Sequence, residues 1–417
     1  MIMKISIISD LHFGYAWNSR LEEDSFQNAN EAIEKSLDSD LILIIGDIFD
    51  SRNPNTEILA RAFKILSKPL LEKNKGIRLL NLIDKTLEKI SERTLKGIPV
   101  ITIAGTHERR GDYQLNSLEA LEQTGFIINL HKNGIVFEKD DQKVAIQGLS
   151  GVPERNAYSI LEQWNPKPVK GCYNILMIHQ SIEPFVYSPL EPPTLNLSNL
   201  PKGFDLIIDG HIHTSHYEKL GNTTFIIPGS TVITQLKKEE AENPKGFYKL
   251  QLPENKLDFI KLENARKFIY KEIHLDDKKT INESIQNKLD EILNQKFEKK
   301  PLIKLKIFGK YSDVIDKEIK ELQKKYEDKL ILKITTELES PEIKQKLKLL
   351  ENMREKRLSL EEMGMQLLNK NLEELKFRKM FDPENIFKLL ADGATERALD
   401  IITKKQATLK TQREWWK

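Results

Sequence analysis

Short apolar runs in this chain end repeatedly on an aspartate or a histidine. Residues 4–9 run into Asp10-Leu11-His12, and residues 41–45 into Gly46-Asp47, followed by Asp50. Residues 100–104 run into Gly105-Thr106-His107-Glu108, residues 174–178 into His179, and residues 206–208 into Asp209-Gly210-His211-Ile212-His213. Runs this short, rich in Ile and Val, read as strands buried on both faces. In α/β proteins the carboxyl ends of such strands are where loops converge on a ligand. Five endings of this kind constrain the chain to a layered α/β fold that gathers them at one edge. Hard carboxylates mixed with imidazoles suit a divalent transition metal such as manganese or iron. A carboxylate shared by two ions would give a site roughly 3.5–4 Å across, suited to in-line attack on a phosphate ester.

Further strands are expected at 143–147, 224–227 and 247–252, and helices at 57–66 and 118–123. Leu79, Leu80, Ile83, Leu87 and Ile90 recur at helical spacing, which predicts an amphipathic helix over 79–90, read as a surface insertion. The expected architecture is two sheets packed face to face between helices. From Phe268 the texture changes: strand 271–275, helix 281–293, strand 302–308, helix 312–326 and strand 330–335 make a β-α-β-α-β unit. The join at 261–268 reads equally as stiff or hinged. After Pro341 strand signals cease, and residues 344–375 read as a charged helix or helix pair, a solvated tether. Asp382-Pro383-Glu384 supplies an N-cap with Pro at the first helical position, opening a helix over 385–390; another is expected over 395–403.

With 417 residues the chain has room for two or three domains. Its 65 basic residues nearly balance 63 acidic ones, a net charge of +2, so a polyanion must be met by a local patch. One cysteine, Cys172, excludes a disulfide scaffold and a Cys-rich zinc module; it reads as a buried small apolar residue. No apolar run approaches the roughly 20 residues of a membrane span, and the start at Met1 carries no secretion signal, so a cytoplasmic location is expected, which the resemblance described below would make nucleoid-associated.

The five endings resemble the five motifs of the calcineurin-like metallophosphoesterases. Within that superfamily the chain resembles the meiotic-recombination-eleven or SbcD-type nucleases of double-strand-break repair. Residues 301–306, Pro-Leu-Ile-Lys-Leu-Lys, are similar to a strand of that family's DNA-capping domain, and the helix-loop-helix at 382–405 lies where the family binds its ABC-type ATPase, of the Rad-fifty or SbcC type. The resemblance implies a four-layer metallophosphoesterase β-sandwich over 1–264, a small α+β capping domain over 265–338, a helical linker over 339–380 and an ATPase-binding tail over 381–417. It implies that Asp10, His12 and His213 hold one Mn2+, that His179 and His211 hold a second, and that Asp47 bridges them. His107 would stabilise or protonate the leaving 3′-oxygen. The implied activity is 3′–5′ exonuclease action on duplex ends and endonuclease action on hairpins and single strands.

Thr106 departs from the pattern, because the family has Asn there as a ligand to the second metal. A hydroxyl is a poorer ligand with a shorter reach, and Thr106 is kept as a candidate. Arg20, Arg52, Arg109, Arg110 and Arg155 are the candidate DNA contacts. Ile386, Phe387, Leu389 and Leu390, with Leu399 and Ile402, form the expected ATPase-binding stripe. His131 and His216 read as structural or solvent-facing. The family further implies a homodimer through helices near 28–37 and 57–66, packed as a four-helix bundle. Two other functions stay open: a phosphoesterase for a nucleotide or phosphoprotein, and a DNA-end-binding scaffold that regulates the ATPase and cuts weakly.

Overall fold

The computed structural model describes residues 2–108, 116–187, 195–274, 281–310 and 315–339, together with positions between 364 and 401 that include the helix Pro383–Ala391. Residues 1–307 with 314–336 form one compact unit, and 308–313 with 337–417 a second.

In chain order the first 261 residues give strands β1 (Met3–Ile8), β2 (Leu41–Ile45), β3 (Arg78–Ile83), β4 (Val100–Ile103), β5 (Ile128–Asn129), β6 (Asn133–Lys139), β7 (Gln142–Leu149), β8 (Tyr173–Ile178), β9 (Ile182–Glu183), β10 (Leu195–Asn196), β11 (Leu206–Asp209), β12 (His216–Leu220), β13 (Thr223–Ile227), β14 (Gly246–Leu252) and β15 (Lys256–Lys261). One sheet has the order β15-β14-β1-β2-β4-β5, the other β12-β13-β11-β8-β7-β6-β3. In the first, β1, β2, β4 and β5 run parallel and β14 and β15 pair antiparallel; in the second, β13, β11, β8 and β7 run parallel, with antiparallel strands at both edges.

The strands alternate even where every residue is apolar, as expected for a sheet buried on both faces. Leu41, Leu43 and Ile45 of β2 meet Ile146, Ile175, Met177 and Ile208 of the other sheet. Ile42 and Ile44 point the other way, onto helices α1 (Glu22–Ser36) and α2 (Thr56–Leu66). Three short helices follow, α3 (Lys68–Leu71), α4 (Glu92–Lys96) and α5 (Ser117–Gln123). Helix α6 (Glu154–Trp164) covers the outer face of the second sheet through Ala157 and Leu161, against Leu176, Ile178 and Phe225. The result is the expected helix–sheet–sheet–helix stack, with the parallel strands β1, β2, β4, β8 and β11 all ending in loops that meet.

The helix expected over 79–90 is not there. Residues Arg78–Ile83 are strand β3, paired antiparallel with β6 at the edge of the second sheet. A register shift between Leu79 and Asn81 places one extra residue on β3. Leu79 and Leu82 therefore both pack on the inter-sheet core although they are three residues apart. That spacing imitates a helix. Leu80 and Leu87, which the helix would have buried, stand 49% and 62% exposed. The segment thus extends the sheet and is not a surface insertion. β6 and α6 had no counterpart in the sequence reading, and Cys172 is half-buried, not buried.

Beyond α7 (Lys238–Glu242), strands β16 (Phe268–His274), β17 (Leu302–Lys310) and β18 (Ile331–Glu339) form a three-stranded sheet, with α8 (Ile281–Leu293) and α9 (Ile315–Tyr326) following β16 and β17. Ile285, Leu289, Ile303, Leu305, Ile307, Leu322 and Leu332 make its core. The join at 261–268 is pinned along one stripe of α1. Arg266 donates to both carboxylate oxygens of Asp24 at 2.6 and 2.8 Å. Lys299 bridges Gln27 and the Asn264 carbonyl. Glu31 accepts the backbone N–H groups of Glu263 and Asn264 at 2.7 and 2.8 Å. Lys35 reaches Glu263 and the Lys261 carbonyl. Asp24, Gln27, Glu31 and Lys35 are spaced three, four and four apart, which places them on one helix face. Helix α10 (Pro383–Ala391) opens after Asp382, whose carbonyl accepts the Ile386 N–H, and the described positions between 395 and 401 are helical, within the helix expected over 395–403. Among the described residues no helix is long and apolar enough to cross a membrane.

Candidate metal centre

Each loop that leaves a parallel strand is stitched to its neighbour. Asp10 N–H donates to the Gly46 carbonyl, His12 N–H to the Asp47 carbonyl, and Gly210 N–H to the Ile178 carbonyl. Asp10, His12, Asp47 and His211 all adopt positive φ, between 45° and 74°. Left-handed backbone in non-glycine residues costs free energy and persists where surrounding structure enforces it. Gly105 is needed for a different reason: a Cβ there would collide with the Asp47 carboxylate.

Two clusters result. Asp10, His12 and His213 converge in one, Asp47, His179 and His211 in the other, and all are buried except His211, which is half-buried. In the first cluster the Nε2 atoms of His12 and His213 face each other at 3.1 Å, with Asp10 Oδ1 3.5 Å from His213. In the second, His179 Nε2 lies 3.3 Å from Asp47 Oδ2. The far nitrogens are anchored. His12 Nδ1 bonds Asp50 Oδ1 at 3.1 Å, His179 Nδ1 donates to the Ile45 carbonyl at 2.9 Å, and His213 Nδ1 bonds Thr234 Oγ1. An imidazole fixed through Nδ1 presents the Nε2 lone pair inward, the arrangement typical of a ligating histidine. Asp10 Oδ1 and His179 Nε2 are buried without a hydrogen-bond partner among the described residues. Buried polar atoms lacking partners are costly, and a divalent cation in each cluster would satisfy both. The Asp and His donor set fits ions of the manganese or iron type.

The electrostatics agree. Burial alone would raise the Asp10 and Asp47 carboxyls, but the facing histidines, His213 and His179 foremost, hold both below the usual carboxylate range. Burial pushes His211 down to about 3, which keeps it neutral and able to ligate. His179, despite burial, is pushed up to about 10 by Asp47.

His107 lies beside the first cluster, its ring 5.0 Å from His12, and forms a third group with His12 and Asp50. Its side chain is 40% exposed, its Nδ1 donates to the Asp50 carbonyl at 2.6 Å, and its Nε2 stands 3.9 Å from Asp47. Thr106 donates its hydroxyl to Asp47 Oδ2 at 3.2 Å. Of the candidate arginines, Arg20, Arg52 and Arg155 are described. Arg20 bonds the carbonyl and carboxylate of Glu327. Arg52 is exposed, Arg155 is exposed in the first turn of α6, and Arg109 and Arg110 lie outside the described residues. His131 is exposed, and the His216 ring rests on Phe185.

Sequence reading gave no role to the groups that hold this centre. Asp50 was visible in the second motif and anchors His12 and His107 together. Glu108 is fully buried and accepts the N–H groups of Phe49 and Gly105, tying two loops; burial and the Asp47 charge push it up to about 8. Its place beside His107 was the available signal. Lys245 had none. It is buried and donates to the His213 carbonyl, Ser230 Oγ and Glu240 Oε1 at 2.9, 2.8 and 2.6 Å. Glu240 in turn accepts the N–H groups of Thr234, Gln235 and Leu236, the turn whose Thr234 hydroxyl meets His213.

A two-sheet sandwich with paired Asp/His clusters at its strand ends defines a metal-dependent phosphoesterase. Residues 3–215 match the family model of the calcineurin-like phosphoesterases, and the chain belongs to that family. It is also similar, at a distance, to double-strand break repair proteins. It is 28% identical to MRE11 of Encephalitozoon cuniculi over 310 residues, 69% of this chain and 52% of that protein. To mre-11 of Caenorhabditis elegans it is 27% identical, over 59% of this chain and 39% of that one. To Mre11 of Sulfolobus acidocaldarius it is 28% identical, over 74% of this chain and 75% of that one. The chain thus spans about half the length of the first of these relatives.

Proposed function

We propose that this chain is a manganese-dependent DNA nuclease of double-strand-break repair, with 3′–5′ exonuclease activity on duplex ends and endonuclease activity on hairpins and single strands. The observation that carries the reading is the pair of inward-facing clusters flanking Asp47, in a chain similar to MRE11 proteins. In this reading Asp10, His12 and His213 hold one ion, His179 and His211 the other, and Asp47 both. Two bound divalent ions supply charge neutralisation at the phosphate and a nucleophile at neutral pH. The chain does the rest. Asp50, Thr234 and the Ile45 carbonyl keep three imidazoles aimed inward. His107, the exposed histidine, offers Nε2 to the leaving 3′-oxygen and gives it a proton as the P–O bond breaks. Arg52, Arg109 and Arg110 are assigned to DNA phosphates. Ile386, Phe387, Leu390, Leu399 and Ile402 are assigned to an ABC-type ATPase.

The test is degradation of end-labelled linear duplex by the purified chain with Mn2+, with Asp47→Ala as the control. Cleavage abolished by chelation or by the substitution is expected; cleavage that survives Asp47→Ala would overturn the assignment. One observation favours a second reading, the weakly cutting scaffold: the Thr106 hydroxyl is spent on Asp47 and leaves the second cluster three ligands. A large gain in cleavage for Thr106→Asn would support the scaffold, and wild type cutting as well as the variant would dismiss it.

A homodimer also belongs to the proposal. Of the two helices assigned to it as a four-helix bundle, α1 ties Glu23 to Arg61 and Glu34 to Lys68, and α2 leaves Leu59 and Phe63 half-buried. Sedimentation at micromolar concentration should show a dimer that Leu59→Glu dissociates, and a wild-type monomer would remove this part of the proposal.

A further inference from the structure

A cavity of about 370 Å³ opens directly against His213, inside the range of about 300–1,000 Å³ typical of small-ligand sites. Three segments build it. Phe185 and Tyr187, after β9, and Ile212, after β11, give it an apolar and aromatic lining, and Gln235 and Asn243 on either side of α7 add two side-chain amides. The lining is held in place. The Phe185 ring stacks on Phe225 at 5.7 Å and meets His216 at 4.8 Å, and Gln235 is fixed through its backbone N–H to Glu240. The Gln235 amide makes no hydrogen bond among the described residues, and Asn243 donates to the Glu239 carbonyl, leaving its amide oxygen to accept.

The charges at the rim select the ligand. Lys237 is committed to the Tyr187 carbonyl at 2.6 Å, and Glu240 to Lys245. Lys237 keeps its charge, because its partner is a neutral carbonyl, and the exposed Glu239 offsets it, so the rim carries no net charge to favour an ionic ligand. A flat, neutral group with a hydrogen-bonding edge fits: aromatic and apolar surface takes its faces, and amides read its edge, as they do for nucleobases elsewhere. We propose that this cavity is a nucleobase subsite, taking the base of the nucleotide whose phosphate lies at the metal clusters. The assignment rests on the phosphodiesterase reading above and adds to it a base contact at the cut site.

The experiment compares Mn2+-dependent kcat/KM on a single-stranded oligonucleotide with that on bis(p-nitrophenyl) phosphate, a diester without a base. The double variant Gln235→Ala/Asn243→Ala is expected to lose about five- to a hundredfold on the oligonucleotide and to stay within about twofold of wild type on the small diester. A second arm leaves the protein untouched: wild type is given oligonucleotides abasic on one or the other side of a defined cleavage position. One of the two should be cut about as poorly as the variant cuts the intact strand. Equal losses on both substrates, or no loss on either abasic strand, would overturn the subsite while leaving the phosphodiesterase reading in place. Wild type inert on the small diester as well as on DNA would sink both.

Discussion

Asp47, His107 and Lys245 stand within one network and do three different jobs. Asp47 lies among charges that hold it ionised. His107 touches the solvent side and is free at Nε2, so its loss should matter in proportion to how badly the leaving group needs a proton. His107→Gln is expected to slow DNA cleavage about 10²–10⁴-fold while leaving bis(p-nitrophenyl) phosphate, whose leaving group departs as an anion, nearly unaffected. Equal losses on the two substrates would assign His107 to binding or folding instead. Lys245 acts at one remove, through the His213 carbonyl and the Glu240-capped turn. Lys245→Met leaves a buried carboxylate unpaired, which should cost about 3–5 kcal/mol in stability. It should also weaken Mn2+ binding about 10–100-fold. Urea denaturation and calorimetric titration measure the two separately, and an unchanged Mn2+ affinity would reduce Lys245 to a core residue. The clustered Asp and His residues were legible in sequence because each follows a strand within a short motif. Lys245 and Glu240 were not, because what they support, His213, lies 32 and 27 residues away in sequence, and nothing local marks that contact.

Among the elements, β3 shows why periodicity can mislead. Leu79 and Leu82 share a face through a bulge, and a bulge is a property of pairing with β6, not of the segment itself. The polar stripe of α1 is the opposite case. Its spacing is plainly helical, yet only its neighbours reveal that it clamps the segment 261–268. Glu31 carries that clamp. Burial would raise its carboxyl, but Lys35 and the two accepted backbone N–H groups outweigh this and hold it below its ordinary value. A carboxyl depressed in the folded state contributes fully above the unfolded value of 4.5, and the contribution is lost as pH falls through the lower folded value. Glu31→Ala should therefore cost about 2–4 kcal/mol at neutral pH and flatten the acid limb of a stability profile. An unaltered profile from pH 6 to pH 3 would show that the join holds without it.

For the whole molecule, the tail is a separable matter. Ile386 is buried, Phe387 lies against Gly364 within the tail's own unit, and Leu399 is 62% exposed; the Leu390 side chain and Ile402 lie outside the described residues. Deleting 381–417 should abolish co-purification with the ATPase and leave Mn2+-dependent cleavage within about twofold of the full chain. Loss of both together would make the tail part of the nuclease fold. By itself the sequence determined the layered α/β class, the five strand-end motifs and the chemistry of their side chains, because strands of this kind are local and their endings are written next to them. The tertiary structure alone decided which imidazole nitrogen faces inward, which buried groups hold the ligands, that residues 78–83 close a sheet edge, and that α1 stiffens the join. Each of those depends on residues far apart in the chain meeting at hydrogen-bond distance, and spacing along a sequence does not encode that.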